Sequence, residues 1–161
     1  MILIVDANVL IDYAKSDLSV LALVARHIGP VHVPSVVLDE VEQLSEEDCE
    51  NLGLTILVEP VEILLTAAEE RGALSFEDHV CLLLARENGY ICVSNDKPLR
   101  RACGKENVTV MWGLKLMVEL VGMGQFDKEA AMEIAVAIQA SNPKHITSEI
   151  IDEFRLKINS R

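Results

Sequence analysis

Residues Ile2 to Val5 form a continuous apolar run that stops at Asp6. A short run with no polar face suits a strand buried on both sides of a parallel sheet. The acid stands where that strand would end, and ligands of open α/β sheets collect at this carboxyl edge. The pattern repeats at Val31 to Val33, Thr55 to Val58, Tyr90 to Ser94 and Val108 to Met111. Between these runs, apolar residues recur at helical spacing: Leu18, Leu21, Ala22, Ala25 and Ile28; Val37, Leu38, Val41 and Leu44; Val61, Leu64, Leu65 and Ala68; Val80, Leu83, Leu84 and Ala85. Strands alternating with helices predict an α/β fold with a central parallel sheet. Right-handed crossovers stack it as a three-layer α/β/α sandwich.

Local signals mark the joints. Ser16 reads as an N-cap with Asp17 in the first turn, and Gly29-Pro30 ends that helix. Pro34 opens the next helix, with Glu40 lying off its apolar stripe. Ser45 to Asn51 reads as a loop or a short solvated helix. Ser75 offers an N-cap with Asp78 three residues on, close to a capping box. After Trp112 the strands stop. Residues 113–121, 127–140 and 147–158 read as three helices, broken by Gly122, Gly124 and Asn142-Pro143. The expected division is an α/β unit over 1–112 and a C-terminal helical extension over 113–161 packed on it, because the stripe Ala131, Ile134, Ala135 and Ile138 needs burial.

At 161 residues, half apolar and a quarter charged, the chain has the composition and size of a single globular domain. No apolar run approaches about 18 residues, so no membrane span is expected. The N-terminus lacks the basic stretch of a signal peptide, which points to a cytoplasmic protein. Cys49, Cys81, Cys92 and Cys103 form no CxxC pair, which argues against zinc and against a disulfide framework. The net charge of −12 repels nucleic acid at long range. A nucleic-acid function would need metal ions and a local basic patch.

Four acids hold comparable places in this layout. Asp6 ends the first strand and Asp96 follows the fourth. Glu40 lies in the helix after the second strand, and Asp78 in the first turn of the helix before the fourth. Each has an ordinary structural use: Asp6 and Asp96 as N-caps, Asp78 as a capping-box acid, Glu40 as a solvated side chain. Together at one sheet edge they would repel one another unless a hard cation neutralised them. Mg2+ and Mn2+ prefer oxygen ligands and bind through few carboxylates, water and substrate phosphate. The fitting reaction is metal-assisted phosphodiester hydrolysis.

The stretches VDANVLID, VPSVVLDEV, LSFEDHVCLLLA and VSNDKPLRRA, with acids at Asp6, Glu40, Asp78 and Asp96, resemble the PIN domains. These are nucleases of a three-layer α/β fold, and many are the toxins of VapBC-type toxin–antitoxin modules. DANVLID and SNDKPLR are the more specific pair. The tail with GLKLMVELV looks like the branch carrying a C-terminal helical extension. The resemblance implies Mg2+- or Mn2+-dependent cleavage of single-stranded RNA by these four acids, a homodimer and a small antitoxin partner.

Around the acids, Asn8 is a candidate to hold the Asp6 carboxylate or to serve as a turn residue. Ser94 and Asn95 are candidate supporting groups before the fourth acid. Lys97, Arg100 and Arg101 form the densest basic cluster and could hold RNA phosphates or simply be solvated. His79 points away from its neighbour Asp78 on a helix and is set aside. Other functions fit less well. A haloacid-dehalogenase-type phosphatase needs a second Asp where Asn8 stands. A response-regulator receiver needs an Asp where the chain has Val58-Glu59-Pro60. The remaining rival is a catalytically silent PIN-like scaffold that acts through protein contacts.

Overall fold

The structure is a computed structural model and describes residues 1–69 and 72–160. The chain begins with β1 (Leu3–Val5), α1 (Ala7–Ser16), α2 (Ser19–His27) and β2 (Val31–Pro34). It continues through α3 (Ser35–Leu38), α4 (Glu46–Leu52), β3 (Thr55–Leu57), α5 (Val61–Glu69) and α6 (Phe76–Asn88). Then follow β4 (Ile91–Val93), α7 (Lys97–Lys105), β5 (Val110–Met111), α8 (Lys115–Gly122), α9 (Lys128–Ser141) and α10 (Ser148–Asn159). Among the described residues the strands form one sheet in the order β3-β2-β1-β4-β5, with every neighbouring pair parallel. The α/β sandwich read from the alternation is the fold the chain has.

The strand order fixes where a site can form. From β1 the chain steps outward to β2 and β3, then returns over the sheet through α5 and α6 to place β4 on the other side of β1. Leu3, Ile4 and Val5 therefore lie beside Ile91, Cys92 and Val93. The direction of winding reverses between β1 and β4, and that crevice is where ligands of doubly wound sheets bind. Right-handed crossovers put α1 and α2 on one face and α5, α6 and α7 on the other. The apolar runs of β1 are wholly buried, as a strand covered on both faces must be.

Two local expectations are corrected. The helix carrying Val37, Leu38, Val41 and Leu44 ends at Leu38. From Glu40 onward the backbone bonds three residues back rather than four, with the N–H of Glu40 on Val37, Val41 on Leu38 and Leu44 on Val41. This tighter winding still buries Val41 and Leu44. Of the two forms open to Ser45 to Asn51, the chain takes the helix: Ser45 caps α4, with a complete capping box between Ser45 and Asp48. Nor does Ser16 cap α2: the residue before that helix is Leu18, which makes no side-chain cap bond, and Asp17 Oδ1 accepts from the backbone and hydroxyl of Ser19. The Ser16 hydroxyl instead donates back to the Asp12 carbonyl.

Helices α8, α9 and α10 pack on the α1–α2 face: α9 lies against α1, and α8 against α2. Their buried residues, including Met117, Leu120, Ala135, Ile138, Phe154 and Ile158, belong to the same core cluster as the strands. Polar bonds fix where this tail joins. Gly113 donates its N–H to Asn95 Oδ1 at 2.9 Å, and its carbonyl accepts from the Tyr13 hydroxyl at 2.6 Å. A Cβ at Gly113 would lie 2.9 Å from Asn95 Nδ2 and 3.0 Å from Val9 Cγ2, so the close approach requires glycine. Farther along, Asn142 donates to the buried Asp12 carboxylate at 3.2 Å, and Asn95 donates to it at 3.5 Å.

Tyr13→Phe keeps the buried ring and removes only the donor to Gly113. An unsatisfied buried carbonyl costs about 1–3 kcal/mol. Urea denaturation should show a lowered midpoint with an unchanged m-value, the sign of lost stability without altered compactness.

Candidate active site

Asp6 leaves β1 and caps α1 in the same step: its Oδ1 accepts the Val9 N–H at 2.9 Å. Its Oδ2 accepts the hydroxyl of Ser94 at 2.5 Å. Ser94 stands at the end of β4, wholly buried, and its oxygen in turn accepts the backbone N–H of Asp96 at 3.0 Å. Asp96 caps α7 through Oδ2 and the Leu99 N–H at 3.1 Å. One hydroxyl thus ties the first acid to the fourth across the switch point. Capping and site membership are compatible, because a carboxylate can satisfy a helix end with one oxygen and present another lone pair to a ligand.

Asp78 sits in the first turn of α6, whose N-cap is Ser75. Burial pushes its carboxyl up to about 6, with the negative charge of Asp96 adding to the rise. Burial also drives Asp6 up to about 7; the bonds from Ser94 and Val9 pull it back, and the charges of Asp78 and Asp96 push it further. The three acids therefore feel one another electrostatically in a desolvated pocket. Glu40 approaches from the turn after α3 on an exposed stretch. Its carboxyl is raised to about 7 by partial desolvation, then by a hydrogen bond with Glu77 and by the charges of Glu77 and Asp78. Two carboxyls that share a hydrogen bond must share a proton.

The other candidate residues are placed as follows. Asn8 is exposed in the first turn of α1, while both Asp6 oxygens are engaged by Val9 and Ser94. Asn95 is buried and spends its amide on Gly113 and Asp12, holding the tail to the site rather than facing the acids. Arg100 donates to the Ser94 carbonyl at 3.3 Å, and its guanidinium lies 3.6 Å from the centre of the Trp112 ring. It braces the loop after β4. Lys97 and Arg101 are exposed. Arg101 lines a recess with His79, Arg86 and Lys105 on the α6–α7 side.

Sequence reasoning passed over two acids. Glu77 is one of two acids in the first turn of α6, where acids are common for dipole reasons, so nothing distinguished it. Asp12 did carry a signal: it falls between Val9 and Tyr13 on the buried stripe of α1. Its carboxyl is held up at about 6 by burial, moderated by the amides of Asn142 and Asn95 and by the charges of His145 and Lys15. Glu59, at the end of β3, is also buried, but it caps α3 through Ser35 and Val36 and stands apart from the cluster.

An all-carboxylate donor set suits a hard divalent cation, whose charge would offset both the burial and the mutual repulsion that raise these carboxyl groups. Among the described residues, no group of three or more His, Cys, Asp or Glu side chains is arranged to hold a metal ion. Mg2+ makes a smaller demand, since it commonly binds through one or two carboxylates and keeps several waters.

No family model matches the sequence, and no curated protein matches it. The fold is similar to that of a solved structure, a PilT N-terminus domain protein, SSO1118, from the hyperthermophilic archaeon Sulfolobus solfataricus P2. The similarity covers 74% of this chain and 92% of that one, with a TM-score of 0.52 and 10% sequence identity. PIN is the contraction of PilT N-terminus, and at this identity the likeness shows a PIN-like fold.

Asp6, Asp78 and Glu40 are raised above their ordinary values, so each favours the folded chain while protonated. That contribution is complete below about 4 and is lost as the pH rises through about 6 to 7. In chelator, stability should therefore fall across this window, by up to about 1.4 kcal/mol per pH unit for the buried Asp6 and less for the others, Glu40 least because solvent screens it. Asp6→Asn should flatten the fall and be more stable than the parent at pH 8, as read from urea midpoints over pH 4 to 8.

Proposed function

We propose that the chain is a metal-dependent ribonuclease that hydrolyses phosphodiester bonds of single-stranded RNA. The observation that carries this reading is the electrostatic meeting of Asp6, Asp78 and Asp96 at the switch point, with Asp6 and Asp96 joined through Ser94. Asp6, Asp78 and Asp96 would hold Mg2+ or Mn2+, with Glu40 at the edge of the site. Such a cation, when bound, lowers the pKa of water and offsets charge on the phosphate. Ser94 orients the Asp6 carboxylate and keeps water from its inner oxygen. Glu40, held near 7 beside Glu77, can carry a proton at neutral pH, the property required of a general acid or base.

The PIN-like fold supports membership of a nuclease-type superfamily, and the toxin role, with a small antitoxin as partner in the cytoplasm, extends that reading. A homodimer is supported by exposed apolar residues at the β3 edge: Val58 is 80% exposed, Val61 65% and Leu65 60%. Val61 and Leu65 stand one turn apart on α5 and so share a face. A Val61→Lys, Leu65→Lys variant should halve the mass measured by light scattering. An unchanged mass would place the dimer contact elsewhere or remove it.

The scaffold reading draws on the net charge of −12 and on the lack of a preset ligand group among the described residues. One experiment separates the two. With Mg2+ or Mn2+ the parent chain should cleave mixed-sequence single-stranded RNA. Asp6→Asn should fold normally and lose at least ~100-fold in rate, or about 2.7 kcal/mol of transition-state stabilisation. Equal rates for parent and variant, or no metal-dependent cleavage by the parent, would leave the scaffold in possession.

A further inference from the structure

Beside the acid cluster lies a cavity of about 550 Å³ that the α/β unit does not build alone. Asn95, Asp96, Lys97 and Pro98 supply one wall, from the start of α7. The tail supplies the other, from Lys144 and His145 in the α9–α10 turn to Thr147, Glu149 and Ile150 at the start of α10. Trp112, at the junction of the two units, also lines it. The volume lies within the roughly 300–1,000 Å³ of ordinary ligand pockets.

Three features set this cavity apart from the rest of a strongly acidic surface. It shares Asp96 with the acid cluster, so a chain lying in one can continue into the other. Two lysines and a histidine line it, Lys97 from α7 and Lys144 and His145 from the α9–α10 turn, in a protein of net charge −12. Its aromatic wall is the only tryptophan of the sequence, and the Arg100 guanidinium 3.6 Å from the ring centre holds that ring in place. Cationic side chains beside an aromatic platform are a means by which proteins hold single-stranded nucleic acid, and here Lys97 and Lys144 stand beside Trp112, with Asp96 and Glu149 also in the lining. Glu149, exposed, is the lining acid that lies outside the cluster.

We propose that this cavity is a subsite for one nucleotide of a single-stranded RNA next to the scissile phosphate, with its base against Trp112 and its phosphate on Lys97, Lys144 and His145. The proposal rests on the ribonuclease reading and names the part of the substrate that the tail would recognise. The preference would be for single strands, because a base must leave its stack to reach the ring.

Trp112 is its own probe. Titrating the full chain in chelator and low salt with a mixed RNA of about ten nucleotides, inside the usual site sizes, should quench tryptophan emission to saturation. Lys144→Ala with His145→Ala should weaken the half-point about tenfold and make its salt dependence shallower, as loss of phosphate contacts does. In cleavage with Mg2+ the same variant should raise KM about tenfold and hold kcat within about twofold, because binding and not the chemical step is altered. His145 also neighbours Asp12, so Lys144→Glu, in an exposed turn, repeats the test without touching that contact. A parent that cleaves RNA while both variants bind and quench as it does overturns the subsite and leaves the nuclease standing. A parent that binds RNA with Lys144-dependent quenching yet cleaves nothing with either cation keeps the subsite and overturns the nuclease. No quenching by RNA, or equal quenching by an acidic peptide, overturns the subsite.

Discussion

A carboxylate buried in the middle of the molecule sets the terms for everything around it. Asp6 is 1% exposed, and an ionised group so placed is costly unless its oxygens are engaged. The chain meets this by ending β1 where α1 begins, so that the helix N–H of Val9 reaches one oxygen, and by bringing Ser94 from β4 to the other. The parallel pairing of β1 with β4 is therefore more than a sheet contact. It delivers a hydroxyl whose second bond fixes the start of α7, and with it Asp96. Even so, the carboxyl stays raised, so the fold holds Asp6 in an environment that a nearby positive charge would relieve.

The large features were legible in the sequence because they depend on local patterning. Apolar runs as short as Leu3–Val5 admit few alternatives to a buried strand, and the Gly and Pro punctuation set the helix ends to within a residue or two. The acids at strand ends were legible for the same reason. The turn bearing Glu40 was not, since Val41 and Leu44 remain buried whether the backbone winds by three residues or by four. Asp12, and the use Asn95 makes of its amide, escaped notice because these roles are tertiary: an amide and a carboxylate 83 positions apart meet only once the sheet has closed. Glu77 was hidden among helix-start acids, and only its approach to Glu40 sets it apart.

Basic residues show the same limit from the other side. Lys97, Arg100 and Arg101 are nearly consecutive, but α7 sends them to three environments. Arg100 turns inward to Trp112 and the Ser94 carbonyl, where burial lowers its pKa. Arg101 faces the α6 side, and Lys97 joins residues of the tail. A linear cluster of charge is thus dispersed by the helix, while Lys97 and the distant pair Lys144 and His145 come to line one cleft.

The peptide group of Gly113 has its N–H on Asn95 and its carbonyl on Tyr13, and Asn95 and Asn142 meet again on Asp12. The boundary that the sequence suggests between strands and tail thus runs through a closed polar network. Severing the chain there would leave an amide, a phenol and a carboxylate stranded in an apolar interior. The tail therefore needs its polar seat on α1 and after β4, and a change in it reaches the edge of the acid pocket through Asn95, the neighbour of Asp96.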